Sequence, residues 1–378
     1  LKPLLLRKRK KNIMELTVKQ ENLAKALNIV GKVASSRTSL PILNNILFRT
    51  NGSRLLIAAT NLEIAVSENV GSKITSPGAI TIPARIVSEF ISSLPKGNVS
   101  LKVEGNHLKI ESGNYSSTIN GVAADDFPEL PTVEEKDSIQ YLINASEFRE
   151  AVAQTIITTS NDTTRPILTG VFWHSFEGSL YLAATDGYRL SEKKLMGTRS
   201  EVAAIIPATS LQEVMRSLND DISEVEIMFD DIQVKFKVGD IEIVSRLIDG
   251  KFIDYRQLIP KSTETNIAVA KAEFVRIVKI SALFARDSGG SITLKADEDA
   301  KKLTIHSIAS ELGENTSEAE AEITGGGEVT LNSRYILESL NVISSDKINF
   351  GFSGKFAPTV IRSATDDSYT HIVMPLKS

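Results

Sequence analysis

The sequence predicts an α+β protein of three similar domains, each with two helices packed on one face of an antiparallel sheet. Three observations predict it. The chain repeats itself with a period of about 120 residues, too long for a solenoid and of the size of a duplicated domain. Each copy holds segments with apolar residues at i, i+3, i+4 and i+7, as a helix with one buried stripe requires. Each copy closes on segments that alternate apolar and polar, as antiparallel strands with one wet face do.

The elements follow in order. A short strand and an amphipathic helix open each copy. The helices are ENLAKALNIVGKV with Leu23, Ala26, Leu27 and Val30 on one face, ASEFREAVAQTI with Phe148, Ala151, Val152, Thr155 and Ile156, and KAEFVRIVKISALF with Phe274, Ile277, Val278 and Ser281. Strand pairs come next, with turns at Asn51-Gly52, Glu177-Gly178 and Asp297 to Ala300. The segments LIAATNLE and YLAATDGY align almost residue for residue. A second helix recurs in TIPARIVSEFISSLP, IPATSLQEVMRSL and LNSRYILESLNVI, with Leu211, Val214, Met215 and Leu218 as the cleanest stripe. Thr209 or Ser210, and Asn332 or Ser333, are the expected N-caps. The closing strands show Val225, Ile227 and Phe229 between acids, then Val234, Phe236 and Val238 between Gln233, Lys235 and Lys237. Polar, Pro-bearing stretches at 127–138 and 258–265 separate the copies, which gives expected domains at 14–134, 135–261 and 262–378.

Composition narrows the chemistry. The 378 residues are 24% charged and 42% hydrophobic, as in ordinary globular proteins, and enough for several cores. There is no cysteine, which excludes disulfides, zinc-thiolate sites and thiol nucleophiles. Four histidines are too few to expect a His-rich metal site. Residues 1–13 hold Lys2, Arg7, Lys8, Arg9, Lys10 and Lys11 and no acid, so the rest of the chain carries −10 against −4 for the whole. Leu4 to Leu6 is too short for a membrane span or a signal-peptide core. Three readings of this segment compete: a tail that touches phosphates or acidic lipid, an expression scar, or an extension upstream of a true start at Met14. The last is favoured, because a non-ATG start read literally yields Leu.

The ordered motifs carry a family resemblance. RTSLPILNN (37–45), TIPAR (81–85), AADDFPEL (123–130), RPILTG (165–170), ATDGYRLS (184–191), RLIDGKFIDYRQLIP (246–260) and HIVMPLKS (371–378) fall in order over residues 14–378. Together they resemble the bacterial DNA polymerase III beta subunits, the DNA sliding clamps. The resemblance implies a head-to-tail closed ring, a homodimer of three-domain chains with helices lining the hole. It implies a processivity factor that encircles double-stranded DNA, is no enzyme itself and needs no cofactor. The implied partners are the replicative polymerase catalytic subunit, an ATP-dependent clamp loader, and repair and translesion proteins that dock through short linear peptides. No membrane partner is expected, and the expected location is the bacterial cytoplasm, at replication forks.

Sliding requires sequence-independent phosphate contacts. Lys25, Lys32, Arg85, Arg149, Arg216, Arg276, Lys279 and Arg334 are the helix cations available for them, although charges coat any exposed helix and Glu147 and Glu150 share the copy-two helix. By resemblance, Arg37 occupies a DNA-contacting position, and Arg165 lies in a loop, SNDTTRPI, that touches DNA; Arg165 also reads as a loop charge beside a proline. Pro166 and Ile167 stand where some members carry aromatics, which removes a stacking contact. The implied peptide pocket, between copies two and three, is Leu168, Thr185, Gly187, Tyr188, Arg189, Leu190, Ile253, Gln257, Leu258, Phe356, Pro358, Ile372, Val373, Met374, Pro375 and Leu376. For Leu168 and Val373 a core role is the competing reading. Tyr188 replaces a common His and Ile253 a common Pro, so peptide preference should differ. The implied dimer interface is Leu283 and Phe284, with acids including Glu318 and Glu320 facing Lys73; a solvated acidic face competes with that pairing.

Two other functional classes compete with this reading. A non-encircling peptide-binding scaffold shares the pocket, and the apolar Leu283-Phe284 pair argues against it. A metal-dependent phosphodiesterase would rest on Asp125, Asp126 and Asp254, all in turn-like stretches. There is no dinucleotide-binding glycine motif, phosphate loop, zinc-protease motif or nucleophile elbow, and Asp186 has no local acid/base partner.

Overall fold

The computed structural model describes residues 13–34, 40–134, 136, 138–310 and 313–376. Each repeat lays down the same order of elements. The first holds β1 (Ile13–Lys19), α1 (Gln20–Ala34), β2 (Asn45–Asn51), β3 (Arg54–Thr60), β4 (Ile64–Ser76), β5 (Ala79–Pro83), α2 (Ala84–Ser93), β6 (Asn98–Glu104), β7 (His107–Ser112) and β8 (Tyr115–Asn120). The second holds β9 (Ile139–Asn144), α3 (Ala145–Ile156), β10 (Gly170–Phe176), β11 (Ser179–Thr185), β12 (Arg189–Gly197), β13 (Ala203–Pro207), α4 (Ala208–Ser217), β14 (Glu224–Phe229), β15 (Gln233–Val238) and β16 (Ile241–Arg246). The third holds β17 (Thr265–Ala270), α5 (Lys271–Phe284), β18 (Ser291–Asp297), β19 (Lys302–Ala309), β20 (Gly313–Thr324), β21 (Gly327–Asn332), α6 (Ser333–Val342), β22 (Lys347–Phe352), β23 (Thr359–Ser363) and β24 (Tyr369–Val373). Ile13, the last residue of the basic N-terminal segment, pairs with Glu104 at the start of β1.

The helices form where the stripes fall. Leu23, Ala26, Leu27 and Val30 of α1 are wholly buried, as are Phe148, Ala151 and Val152 of α3 and Phe274 and Val278 of α5. Each such Leu, Val or Phe side chain removed from water contributes about 1.5–3 kcal/mol. Asn332 caps α6, accepting from the Arg334 N–H at 2.9 Å. Neither expected cap serves α4. That helix starts at Ala208, so Thr209 and Ser210 lie inside its first turn. Strand β13 runs through Pro207 straight into it, and the Ala208 N–H is satisfied by the Thr169 carbonyl at 3.1 Å. The stripe is also narrower than expected, because Met215 is half-buried and Leu218 lies past the helix end.

The described residues form two compact units, those within 1–145 and 212–246, and those within 146–211 and 247–378. In the first, one sheet runs β8-β7-β6-β1-β4-β16-β15-β14-β9, with β3 branching from β4, β2 beside β3 and β5 beside β2. In the second, the order is β13-β10-β11-β12-β24-β23-β22-β17-β20-β19-β18-β21. Strand pairing therefore does not stop at the Pro-bearing stretches. It crosses from repeat one to repeat two at β4–β16, with Ile243 opposite Val66, and from two to three at β12–β24, with Ser191 opposite His371. Arg54 reinforces the first joint through a bidentate pair with Asp240, both bonds 2.8 Å.

Candidate functional site

A surface with exposed apolar side chains is assembled in the second unit from three places. The β11–β12 turn presents Tyr188, the stretch after β16 presents Ile253 and Leu258, and the β22–β23 loop presents Phe356, all exposed. The turn is built by Asp186, whose Oδ1 accepts from the N–H groups of Tyr188 and Arg189. Gly187 has φ +93°, which a side chain tolerates poorly, and an added Cβ would stand 3.7 Å from Arg165 Nη1. The Met374 N–H donates to the Tyr188 carbonyl at 2.8 Å and holds the segment after β24 against the turn. Met374, Pro375, Leu376 and Pro358 are half-buried, and Gln257 and Gly187 are exposed.

Other members of the expected pocket lie beneath this surface. Val373 belongs to the core of the third repeat, and Leu190 and Ile372 to a cluster with Ile205, Phe252 and Tyr255. Leu168 and Thr185 are buried as well, and the Thr185 hydroxyl bonds to the Arg189 carbonyl. For Val373 the core reading is the one the burial favours. Arg189 is also internal. Its guanidinium donates to Asp186 and Glu338 and lies 4.4 Å from the Tyr335 ring centroid. Two of its N–H groups are held by these carboxylates, and with 7% exposure it works as an internal brace.

The stretch carrying Ile253 and Leu258 is pinned from below. Phe252 stacks on Phe172 at 4.8 Å, and His174 stacks on the same ring at 4.7 Å. His174 Nε2 is 2.7 Å from the Tyr255 hydroxyl, which donates to Glu192. The Arg256 guanidinium pairs with Glu192 at 2.9 Å and covers the rings of Phe176 and Tyr181 at 3.9 and 4.2 Å. Cation–π contacts of this kind are worth about 0.5–2 kcal/mol each. Burial, with Arg256 nearby, pushes the His174 imidazole down to about 4. Lys193 forms a second brace, reaching Ser368 at 2.7 Å, Asp366 at 3.2 Å and Glu150 at 3.5 Å. Of these internal partners only Glu150 was named from the sequence, and there as an acid on its helix. The signal available was the aromatic run in VFWHSF and FIDY.

Eight of the ten expected DNA contacts stand on the helices α1 to α6. Lys25, Lys32, Arg85, Arg149, Arg216, Arg276, Lys279 and Arg334 are all exposed. Five of the ten expected residues sit in short-range ion pairs: Arg85 with Glu89, Arg165 with Asp162, Arg216 with Glu213, Arg276 with Glu273 and Arg334 with Glu338. Exposed pairs of this kind contribute about 0–1 kcal/mol, so a phosphate can displace the carboxylate. Arg37 lies outside the described residues.

Of the expected interface residues, Leu283 is exposed and Phe284 half-buried. Exposed Ile280 precedes Leu283 by one turn, and Ile86 and Tyr115 are exposed in repeat one; sequence reading singled out none of the three. Lys73 lies on β4 opposite Thr17, four strands from the edge strand β8. Glu318 pairs with Lys302 at 2.7 Å, and Glu320 is exposed on the same face of β20. Asp125, Asp126 and Asp254 are exposed, and among the described residues no group of three His, Asp or Glu is placed to hold a metal.

Comparison with known proteins places this architecture. Models of the N-terminal, central and C-terminal domains of the DNA polymerase III beta subunit match residues 14–131, 142–254 and 256–377. A beta sliding clamp of Bacillus subtilis is 30% identical over 97% of this chain and 100% of its own length. The crystal structure of the Bacillus subtilis DNA polymerase sliding clamp is 29% identical, with TM-score 0.92 over 97% of this chain and 99% of that one. A Pseudomonas aeruginosa clamp solved with bound griselimycin is 26% identical, with TM-score 0.90 over 97% of this chain and 100% of that one. With its three repeats each matched in order, the chain belongs to the DNA polymerase III beta subunit family, the beta sliding clamps.

Proposed function

We propose that two copies of this chain close head to tail into a ring around duplex DNA, each built of domains 14–134, 135–261 and 262–378. One observation carries the reading. Within each chain, β16 adds to β4 and β24 adds to β12. By position in the repeats, β8 corresponds to β16 and β24, and β20 corresponds to β4 and β12. Among the described residues β8 pairs only with β7, and residues 313–320 of β20 pair only with β19. One free edge of each kind per chain calls for a partner, and unpaired edges are costly to leave open. Antiparallel addition of β8 to β20 of a second copy satisfies both. It also brings exposed Ile280 and Leu283 of α5 toward the repeat-one helix surface that carries Ile86.

The helix cations then touch phosphates without reading bases, which permits sliding. The exposed acids of β20, namely Glu314, Glu318, Glu320 and Glu322, face away from the helices and repel DNA from the outside. Tyr188, Ile253, Leu258 and Phe356 receive the apolar anchors of peptides from the polymerase, the loader, and repair and translesion proteins. A closed ring needs an ATP-driven loader to admit circular DNA, and the setting is the bacterial cytoplasm at replication forks. The test is topological. Protein loaded onto nicked circular DNA should survive high salt, which breaks phosphate contacts, and fall off once the circle is cut. Release by salt from the intact circle, with a loader proven on another clamp, would sink the ring.

A further inference from the structure

Repeat one contains a second copy of the turn that underlies the peptide surface, and the first unit holds all of it. In repeat two Thr185 Oγ1 accepts from the Gly187 N–H, and Asp186 Oδ1 from Tyr188 and Arg189. In repeat one Thr60 Oγ1 accepts from the Leu62 N–H, and Asn61 Oδ1 from Glu63 and Ile64. The closing bond recurs as well: Arg246 N–H to the Glu63 carbonyl at 2.9 Å matches Met374 N–H to the Tyr188 carbonyl at 2.8 Å. One difference stands out. Leu62 occupies the left-handed position that Gly187 fills in repeat two, with φ 75° and 48% exposure. A branched apolar side chain there is both strained and wet, and such outliers concentrate at functional sites.

A second exposed apolar residue lies along the same edge. Glu63 bonds to Arg246, Arg246 sits opposite Gln233, and Ile232 immediately precedes Gln233 with 67% exposure. Its turn between β14 and β15 corresponds to the β22–β23 loop that presents Phe356 and Pro358. Leu62 and Ile232 thus end strands two spacings apart, about 10 Å. An extended chain covers that in about three residues. Among the described residues next to them in sequence or across the ladder, the charged groups are Glu63, Asp230 and Asp231, with Arg246.

We propose that Leu62 and Ile232 form a second docking point for a linear segment of a partner protein, with apolar side chains three residues apart and basic flanks. The proposal rests on the peptide-surface reading above, since it extends that surface's turn to repeat one. The acidic rim argues for basic flanks, and the strand spacing fixes the separation of the anchors.

The test uses the full chain with labelled Ile and Leu methyl groups and the synthetic peptide Lys-Leu-Ser-Ser-Leu-Lys. The Leu62 and Ile232 methyl resonances should shift together and saturate at about 1 mM peptide. Replacing both Lys by Glu should weaken binding about tenfold. Leu62→Gly should weaken it about tenfold while leaving Tm equal or higher, because glycine relieves the turn. Unmoved Leu62 and Ile232 methyls overturn the proposal. So do shifts confined to Ile253 and Leu258, equal binding of the Glu peptide, or a lower Tm for Leu62→Gly, which would make the side chain part of the fold. Peptide-free, concentration-dependent shifts would show a second copy covering the patch and overturn it too. The main surface is read separately from the Ile253 and Leu258 methyls with a polymerase peptide, so failure of one reading is distinct from failure of the other.

Discussion

Arg189 on β12 donates to Glu338 on α6, two residues 149 positions apart in sequence, and the contact joins repeat two to repeat three inside one compact unit. The arginine is 7% exposed. Burial pushes the Glu338 carboxyl up, but donors from Arg334 and Arg189 outweigh it and hold the group below the ordinary carboxylate range. Removing Arg189 takes a donor from both Asp186 and Glu338, while Glu338 keeps Arg334. Arg189→Ala should therefore destabilise the second unit by about 1–3 kcal/mol. Thermal unfolding checks it, and a Tm within a degree of wild type would show that the brace is idle.

The peptide surface gives a separate expectation. Ile253→Asp places a charge where an apolar anchor should seat, and Phe356→Ala removes a wall. Both residues are exposed, so neither change opens the core. Each should weaken binding of a labelled polymerase peptide by about tenfold or more, the loss expected at an anchor pocket. Fluorescence anisotropy measures it, and sedimentation should still report the parent oligomer. Val373→Ala is the contrast: it should lower Tm because it cuts into the third-repeat core.

Much of this architecture is legible in the sequence. The buried faces of α1, α3 and α5 follow from spacing alone, because a helix returns to the same side every three or four residues. The joints β4–β16 and β12–β24 were not legible. Alternation shows that a strand has one wet face, but it does not name the neighbour on its edge. Ser245 and Ile64 meet across the first joint with nothing local in either segment to announce it. The site divides the same way. Of the residues the resemblance assigns to the pocket, Tyr188, Ile253 and Phe356 are exposed, whereas Ile372, Val373 and Arg189 are buried. Motif position fixes a residue's place in the chain and leaves its side-chain partners open. Glu338 and Tyr335, which hold Arg189, come from another repeat and carry no motif.

Acid should weaken the second unit through its buried histidines. His174 is held down to about 4 and His371 to about 3, in both cases chiefly by burial. An unfolded histidine titrates near 6.5. The folded chain thus binds fewer protons below that value, and stability present above pH 6.5 is lost as pH falls toward 4 and below. For His174 alone the loss by pH 4 is about 3 kcal/mol. Denaturant titrations at pH 7, 5.5 and 4.5 measure the slope. His174→Gln should flatten it, and an unchanged slope would place the acid sensitivity elsewhere.

The edge arithmetic makes the last prediction, about assembly. If β8 adds to β20 of a second copy, the helix surface beside that joint must exclude water. Ile280 and Leu283 are 40% and 53% exposed in the single chain, an arrangement that costs solubility unless covered. Ile280→Asp with Leu283→Asp brings two charges into the covered face. Neither side chain contributes to the buried stripe of α5, which is Phe274, Ile277, Val278 and Ser281. The fold should survive, with unchanged Tm in the second unit, while sedimentation reports monomers. Ser116→Pro on β8 attacks the same joint from the other side, removing a backbone donor that points to the free edge. Both variants should lose salt-resistant retention on circular DNA together with the dimer. A double-aspartate variant that still sediments as a dimer would show that the free edges of β8 and β20 do not meet.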